Sequence, residues 1–302
     1  MEYILTTENL TKAYGTAIAA NNISLHIKKG EVYGLIGRNG AGKTTILKML
    51  CGLSTPTSGS FTFMGKTGSE LAKYKSKIGS LIETPSLFPK MSAFQNVKLK
   101  CIAFGINDDK YVESLLEQVG LSNVGKKNAQ SFSLGMKQRL GIALALVGDP
   151  EFIILDEPIN GLDPQGIAEM RAIIHRLSKE RGMTVIVSSH ILDELVKVAD
   201  SFAIINGGKL LDEFSSEELS ERCSKHLLLR VTDSKKAIDV LSSMKISGCV
   251  ALNDKELKIT SEIEDSSKVV EKLVTSGVGV YELTFKQMTL EEYYFNCTGG
   301  NE

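Results

Sequence analysis

The chain is 302 residues long, with 42% hydrophobic and 24% charged residues, enough apolar material for a real core and too much for wholesale disorder. Its 35 basic and 36 acidic residues leave a net charge of -1, without the basic excess expected of a protein whose main work is holding nucleic acid. No apolar run approaches the ~20 residues needed to cross a bilayer, and the N-terminus lacks the basic start and apolar stretch of a secretory signal, so a soluble, cytosolic chain is expected.

In chain order, residues 31–37 read as a strand, 44–53 as a helix, 111–120 and 137–148 as helices, and 152–158 as a strand. A helix over 166–180 and strands over 184–190 and 201–207 follow. The strand runs are apolar without clean alternation, as strands covered by helices on both faces are, which predicts a parallel sheet in an α/β fold. All six prolines lie at or before Pro164, and the charge balance changes from 24 bases and 21 acids in residues 1–215 to 11 and 15 in 216–302. A seam is therefore expected around 211–225. Beyond it the order is β-α-β-β-α-β, that of a small ferredoxin-like α+β unit over 216–302. Cys51, Cys101, Cys223, Cys249 and Cys297 are scattered, with no CxxC or Cys/His cluster, so free thiols are expected rather than disulfides or a zinc site.

Residues 37–44 read Gly-Arg-Asn-Gly-Ala-Gly-Lys-Thr, fitting G-x-x-x-x-G-K-[ST] between an apolar strand and a helix. Gly37, Gly40 and Gly42 let successive N–H groups converge into an anion nest, and the following helix adds the positive end of its dipole. Lys43 supplies charge for the β- and γ-phosphates, and the Thr44 hydroxyl is placed to ligate Mg²⁺. The strand 152–158 ends in Asp156 and Glu157. Asp156 is the candidate to reach Mg²⁺ from across the cradle, and Glu157 the candidate base for an attacking water. His190 ends another buried strand and reads either as a structural histidine or as a γ-phosphate contact.

Taken in order, Tyr14, the 37–45 cradle, the loop LIETPSLFP, FSLGMKQRL, FIILDEP, NGLD and SSH resemble the ATP-binding-cassette (ABC) ATPases over roughly residues 3–215. The resemblance implies a P-loop NTPase core, 1–215, with a helical subdomain at about 84–150, and a C-terminal accessory domain. It implies that ATP and Mg²⁺ are bound, with Tyr14 stacking on adenine and Gly37, Arg38, Asn39, Gly40, Ala41, Gly42, Lys43, Thr44 and Thr45 around the phosphates. Lys43, Glu157 and His190 become the catalytic set, the last as a switch histidine. Residues Ser133, Leu134, Gly135 and Met136 stand at the signature segment that faces the γ-phosphate of the opposite subunit, with Ser133 and Gly135 matching it. Asp163 matches the loop carboxylate that couples the two sites, so a head-to-tail pair of such chains is implied, driving a separate integral membrane permease from the cytoplasmic side of the membrane. No nucleic-acid partner is expected.

Two positions depart from the family pattern. Met136 stands where a glutamine is usual, which puts that polar contact in doubt. Glu83 stands where the loop into the helical subdomain usually carries a glutamine; it would bind Mg²⁺ more strongly than an amide but repel the γ-phosphate when uncompensated. An acidic residue here, a SLGM signature and a C-terminal extension together resemble exporters of the bacitracin-resistance and lantibiotic-immunity type. The alternatives are an exporter of another drug or lipid, and a soluble ABC ATPase acting on ribosomes or nucleic acid. The last fits poorly with a single cassette and with only 88 residues (45–132) between Thr44 and Ser133. Leu87, Phe88 and Met91, in the segment 85–97, are either an apolar contact patch for the membrane subunit or buried packing.

Overall fold

In the computed structural model, which describes residues 2–223, 225–260, 265–287 and 289–299, the chain opens on a long strand, β1 (Tyr3–Tyr14). It pairs antiparallel with β2 (Ala17–Ile23) and β3 (His26–Lys28). The chain then runs through β4 (Val32–Ile36) and helix α1 (Lys43–Leu50) before β5 (Ser58–Phe63) returns to the other side of β1. The strand runs read from the sequence did not include this sheet. Its strands are largely polar, bent by register shifts at Leu10/Lys12 and Glu8/Thr11, and β1 and β5 pair residues about fifty to sixty positions apart, Leu5 with Phe63 among them.

The second sheet is the predicted one. Its order is β10-β9-β4-β8-β7-β6, with β6 (Ile78–Leu81), β7 (Phe152–Asp156), β8 (Thr184–Ser189), β9 (Ser201–Asn206) and β10 (Lys209–Ser215). Every pair is parallel except β9 with β10. Every residue of β4, β7 and β8 is buried, as parallel strands covered on both faces should be. Tyr33, Leu35, Ile46, Leu47, Phe63 and Phe152 join a core that runs from β1 through β4 and α1 to β7.

Three helices, α2 (Ala93–Ala103), α3 (Asp109–Gln118) and α4 (Leu134–Ala145), lie between β6 and β7 in the chain. Each starts on a side-chain cap. Ser92 and Gln95 form a reciprocal capping box on α2, Asp108 accepts from Lys110 N, and Ser133 accepts from Met136 N. The Ser133 cap explains why α4 begins three residues ahead of the helix expected from 137. After β7, α5 (Pro164–His175) is capped by Asp163 with Pro164 in its first turn. The helix expected over 166–180 is α-helical only to His175 and closes in a π-helical turn, Arg176–Glu180, where Ser178 Oγ donates to Gly30 O at 2.9 Å. Helix α6 (Leu192–Val196) follows β8.

The chain splits into two compact units that meet in sequence at Ser216 and Glu217, with the described residues 297–299 grouping with the first. Around and beyond the seam come α7 (Ser216–Arg222), β11 (Lys225–Val231), α8 (Ser234–Ser243), β12 (Cys249–Asn253), β13 (Glu256–Ile259), α9 (Ser266–Thr275), β14 (Val280–Gln287) and α10 (Leu290–Cys297). The second unit's sheet is antiparallel in the order β12-β13-β11-β14. Alternation sets its faces: Leu227, Leu229 and Val231 of β11 point to a core shared with Ala237 and Leu241 of α8 and Val269 and Leu273 of α9. No helix among the described residues is long and apolar enough to cross a membrane, and the five cysteines are free.

Candidate active site

Four parallel strands deliver the candidate residues to one edge of the sheet: β4 leads to Gly37, β6 leads to Glu83, β7 ends at Asp156 and leads to Glu157, and β8 leads to His190. Carboxyl ends of parallel strands are where α/β proteins hold ligands. The turn after β4 is built so tightly that side chains cannot enter it. A Cβ on Gly37 would lie 2.5 Å from Ile205 O, and one on Gly42, whose φ is +106°, would lie 2.3 Å from Ala19 O. Gly42 is also the N-cap of α1, and no side chain caps that helix. The first-turn N–H groups of α1 are therefore left for an anion. Arg38, Asn39 and Gly40 are exposed on the rim, Ala41 is buried, and Thr44 and Thr45 are half-buried.

Lys43 is 4% exposed. Its Nζ donates to Gly37 O at 2.5 Å and Arg38 O at 3.3 Å, and stands 3.0 Å from Glu157 Oε1. An ammonium this deep requires such compensation. The other Glu157 oxygen, Oε2, is 2.7 Å from His190 Nδ1. An ionised Glu157 accepts only, which places the imidazole proton on Nδ1. Lys43, Glu157 and His190 thus form a continuous polar chain, with Glu157 itself held at φ +49°.

Beside that chain, Thr44 Oγ1 donates to Asp156 Oδ2 at 2.8 Å. A hydroxyl and a carboxylate, all oxygen, suit Mg²⁺, which keeps waters and substrate phosphates as its remaining ligands. The described residues hold no cluster of three or more His, Cys, Asp or Glu that would make an all-protein cage. One contributor was missed from the sequence. Ser188, fully buried at the end of β8, donates through Oγ to Asp156 Oδ1 at 2.6 Å and accepts the Glu157 N–H at 2.9 Å. The signal was present in the run SSH, where only the histidine drew attention.

The remaining candidates lie around this centre. Glu83, at φ +58° and largely exposed, pairs with Lys48 of α1, Nζ to Oε1 2.6 Å, rather than with Thr44 or Asp156. The hydrogen bond that Lys48 donates to Glu83 holds the Lys48 ammonium above its usual range. Tyr14 is 53% exposed, with Lys12 Nζ 5.0 Å from its ring centroid. Ser133 and Leu134 are exposed and Gly135 and Met136 half-buried at the start of α4, and the Ser133 hydroxyl is engaged with its own helix at 3.2 Å. Asp163 likewise caps α5, accepting from Gly166 N at 2.9 Å. The 160–163 turn lies against the start of α4, since a Cβ on Gly135 would stand 3.6 Å from Leu162 Cδ2. A groove of about 470 Å³ opens beside Glu83, lined among others by Leu53, Ile82, Pro85, Phe88, Leu99 and Leu144. Of the three apolar residues in 85–97 singled out earlier, Phe88 is 54% exposed, and Leu87 and Met91 are half-buried.

A central strand that feeds a glycine cradle and an uncapped helix, with a carboxylate arriving from two strands away, defines a P-loop nucleotide-binding protein. The ABC transporter family profile matches residues 20–160. The bacitracin transport ATP-binding protein BcrA of Bacillus licheniformis is 39% identical over 99% of this chain and 99% of its own length. The lantibiotic transport ATP-binding protein SrtF of Streptococcus pyogenes is 46% identical over 74% of this chain and 98% of its own. The dimeric post-hydrolysis structure of the ATP-binding cassette MJ0796, bound to ADP and Pi, superposes with a TM-score of 0.64 at 26% identity, covering 70% of this chain and 98% of that one. The chain belongs to the ABC transporter ATP-binding proteins. It is an ATPase of a transport system, with an adenine-nucleotide-binding cassette.

Proposed function

We propose that this chain is the motor subunit of an exporter that removes membrane-active peptide antibiotics of the bacitracin or lantibiotic kind. The observation that carries the motor role is the Lys43–Glu157–His190 chain lying beside the Thr44–Asp156 pair. The export reading is supported by the full-length similarity to a bacitracin transport protein.

In this reading the cradle N–H groups and Lys43 grip the triphosphate, and Tyr14 offers its exposed ring to the adenine. Thr44 and Asp156 would hold Mg²⁺, which would supply neutralisation of phosphate charge. Phosphate oxygens draw Lys43 away from Glu157, freeing that carboxylate to take a proton from water. His190 keeps the second Glu157 oxygen oriented and is the candidate contact for the γ-phosphate. Ser133 and Leu134 stand exposed at a helix start, as a surface that completes a partner's site requires. A head-to-tail pair closes on ATP and opens after hydrolysis, with Asp163 between the two sites.

The groove beside Glu83, with Leu53, Phe88 and Leu99 exposed at it, receives the membrane permease and holds the chain at the cytoplasmic face. The second unit, Glu217–Asn296, is an accessory domain on this motor. The test is co-expression with its permease in bacitracin- or lantibiotic-sensitive cells. Survival should rise, and a Glu157→Gln chain should abolish the gain; unchanged sensitivity to both classes of antibiotic would refute the export assignment.

A further inference from the structure

The sequence raised a difficulty that the structure answers. A glutamate at position 83 would repel a γ-phosphate if nothing balanced its charge. The register of β6 with β7 sets Leu81 beside Leu155, so Glu83 emerges at the same sheet edge as Asp156 and Glu157. It does so in a left-handed conformation, φ +58°, that a long side chain adopts only when its surroundings impose it. What it meets there is Lys48 Nζ at 2.6 Å. Lys48 lies four residues after Thr44 and so rides the same face of α1, one turn beyond the candidate Mg²⁺ ligand. Immediately around Glu83, Ile82, Thr84, Pro85 and Ser86 form one wall of the 470 Å³ groove.

We propose that Lys48 is a positioning residue for the nucleotide reaction: it cancels the charge of Glu83 and ties the 82–86 wall of the groove to the helix that holds the phosphates. The inference rests on reading residues 37–45, 156 and 157 as the nucleotide site. Lys48 touches neither phosphate nor metal in this scheme; it acts through Glu83. Without it, the glutamate faces the γ-phosphate unbalanced, and ATP suffers more than ADP, which ends one phosphate short. Replacing Glu83 as well removes the charge that Lys48 exists to balance.

The test is a double-mutant cycle on the full chain, read as the dissociation constants of fluorescent ATP and ADP analogues at fixed Mg²⁺. Lys48→Met should weaken ATP binding about tenfold, the scale of one unbalanced charge roughly 12 Å from another unit charge at an effective dielectric of about 20. ADP should weaken about threefold or less. Glu83→Gln alone leaves the Lys48 charge unbalanced and should leave ATP affinity at the parent level or raise it up to about tenfold, while the double variant should return to within about twofold of the parent, as should Lys48→Arg. Unchanged ATP affinity in Lys48→Met, or a double variant as weak as Lys48→Met, would overturn the proposal; the second result would mean that Lys48 serves the fold of α1 and not Glu83. Failure of the parent chain to bind either analogue would instead sink the reading of the site itself. Protection of residues 82–86 from hydrogen exchange, measured on the same samples, should rise with ATP in the parent and lose that response in Lys48→Met.

Discussion

Ser188 Oγ lies 2.6 Å from Asp156 Oδ1, and the same oxygen accepts the backbone N–H of Glu157 at 2.9 Å. One hydroxyl on β8 thereby sets the side chain of the candidate metal ligand and the backbone of the candidate base on β7. Outer groups of this kind commonly carry ~10–100-fold of metal affinity or activity.

Ser188→Ala should accordingly lower ATP turnover by ~10–100-fold and raise the Mg²⁺ concentration needed for half-maximal rate. It should also cost about 1–3 kcal/mol in stability, because a buried carboxylate loses a donor. Phosphate release against Mg²⁺ concentration and urea denaturation measure the two effects. A variant with parental Mg²⁺ dependence would show that the Thr44 contact alone positions Asp156.

Glu157→Gln removes the base and weakens the contact that holds Lys43 inward. Hydrolysis should fall ~10²–10⁴-fold, while ATP binding persists. With hydrolysis suppressed, saturating ATP-Mg²⁺ should move the chain from monomer to dimer in size-exclusion chromatography with light scattering. Monomer alone under those conditions would count against a site completed by Ser133 of a second copy.

Gly42→Ala tests the cradle. The added Cβ meets Ala19 O at 2.3 Å and the φ of +106° disfavours any L side chain. Destabilisation of about 1–3 kcal/mol is expected from the strained backbone, together with loss of nucleotide affinity as the turn opens. Thermal melting with and without ATP-Mg²⁺ separates the two: the variant should melt lower and gain little from nucleotide.

Tyr33 tests the core behind the site. Its buried hydroxyl donates to Glu213 Oε1 at 2.5 Å, and burial, then the Glu213 carboxylate, pushes the phenol well above its usual range. Tyr33→Phe should cost about 1.5–3 kcal/mol, the usual worth of a hydrogen bond to a charged group. A phenol pKa raised on folding favours the folded state fully below ~10, and the gain is lost only as pH rises through the folded value. The difference between parent and variant should therefore be flat between about pH 7 and 9; a difference that vanishes within that window would exclude the phenol as its source.

Much of this protein was legible as sequence because the relevant physics is local. The cradle needs glycines, a lysine and a hydroxyl at adjacent positions, and strands buried on both faces must be apolar, so residues 37–45, 152–157 and 184–190 declare themselves. Helix starts were legible in principle from Ser92, Asp108, Ser133 and Asp163. What only the folded chain decided are contacts between residues far apart in sequence. Ser188 meets Asp156 across 32 positions, Lys48 meets Glu83 across 35, and the β1 sheet joins segments about fifty to sixty residues apart. Serine, lysine and polar strands carry no pattern of their own, because their meaning comes from the partner that parallel-strand register and helix packing bring within 3 Å. Residue type sets what a side chain can do; topology sets what it does it to.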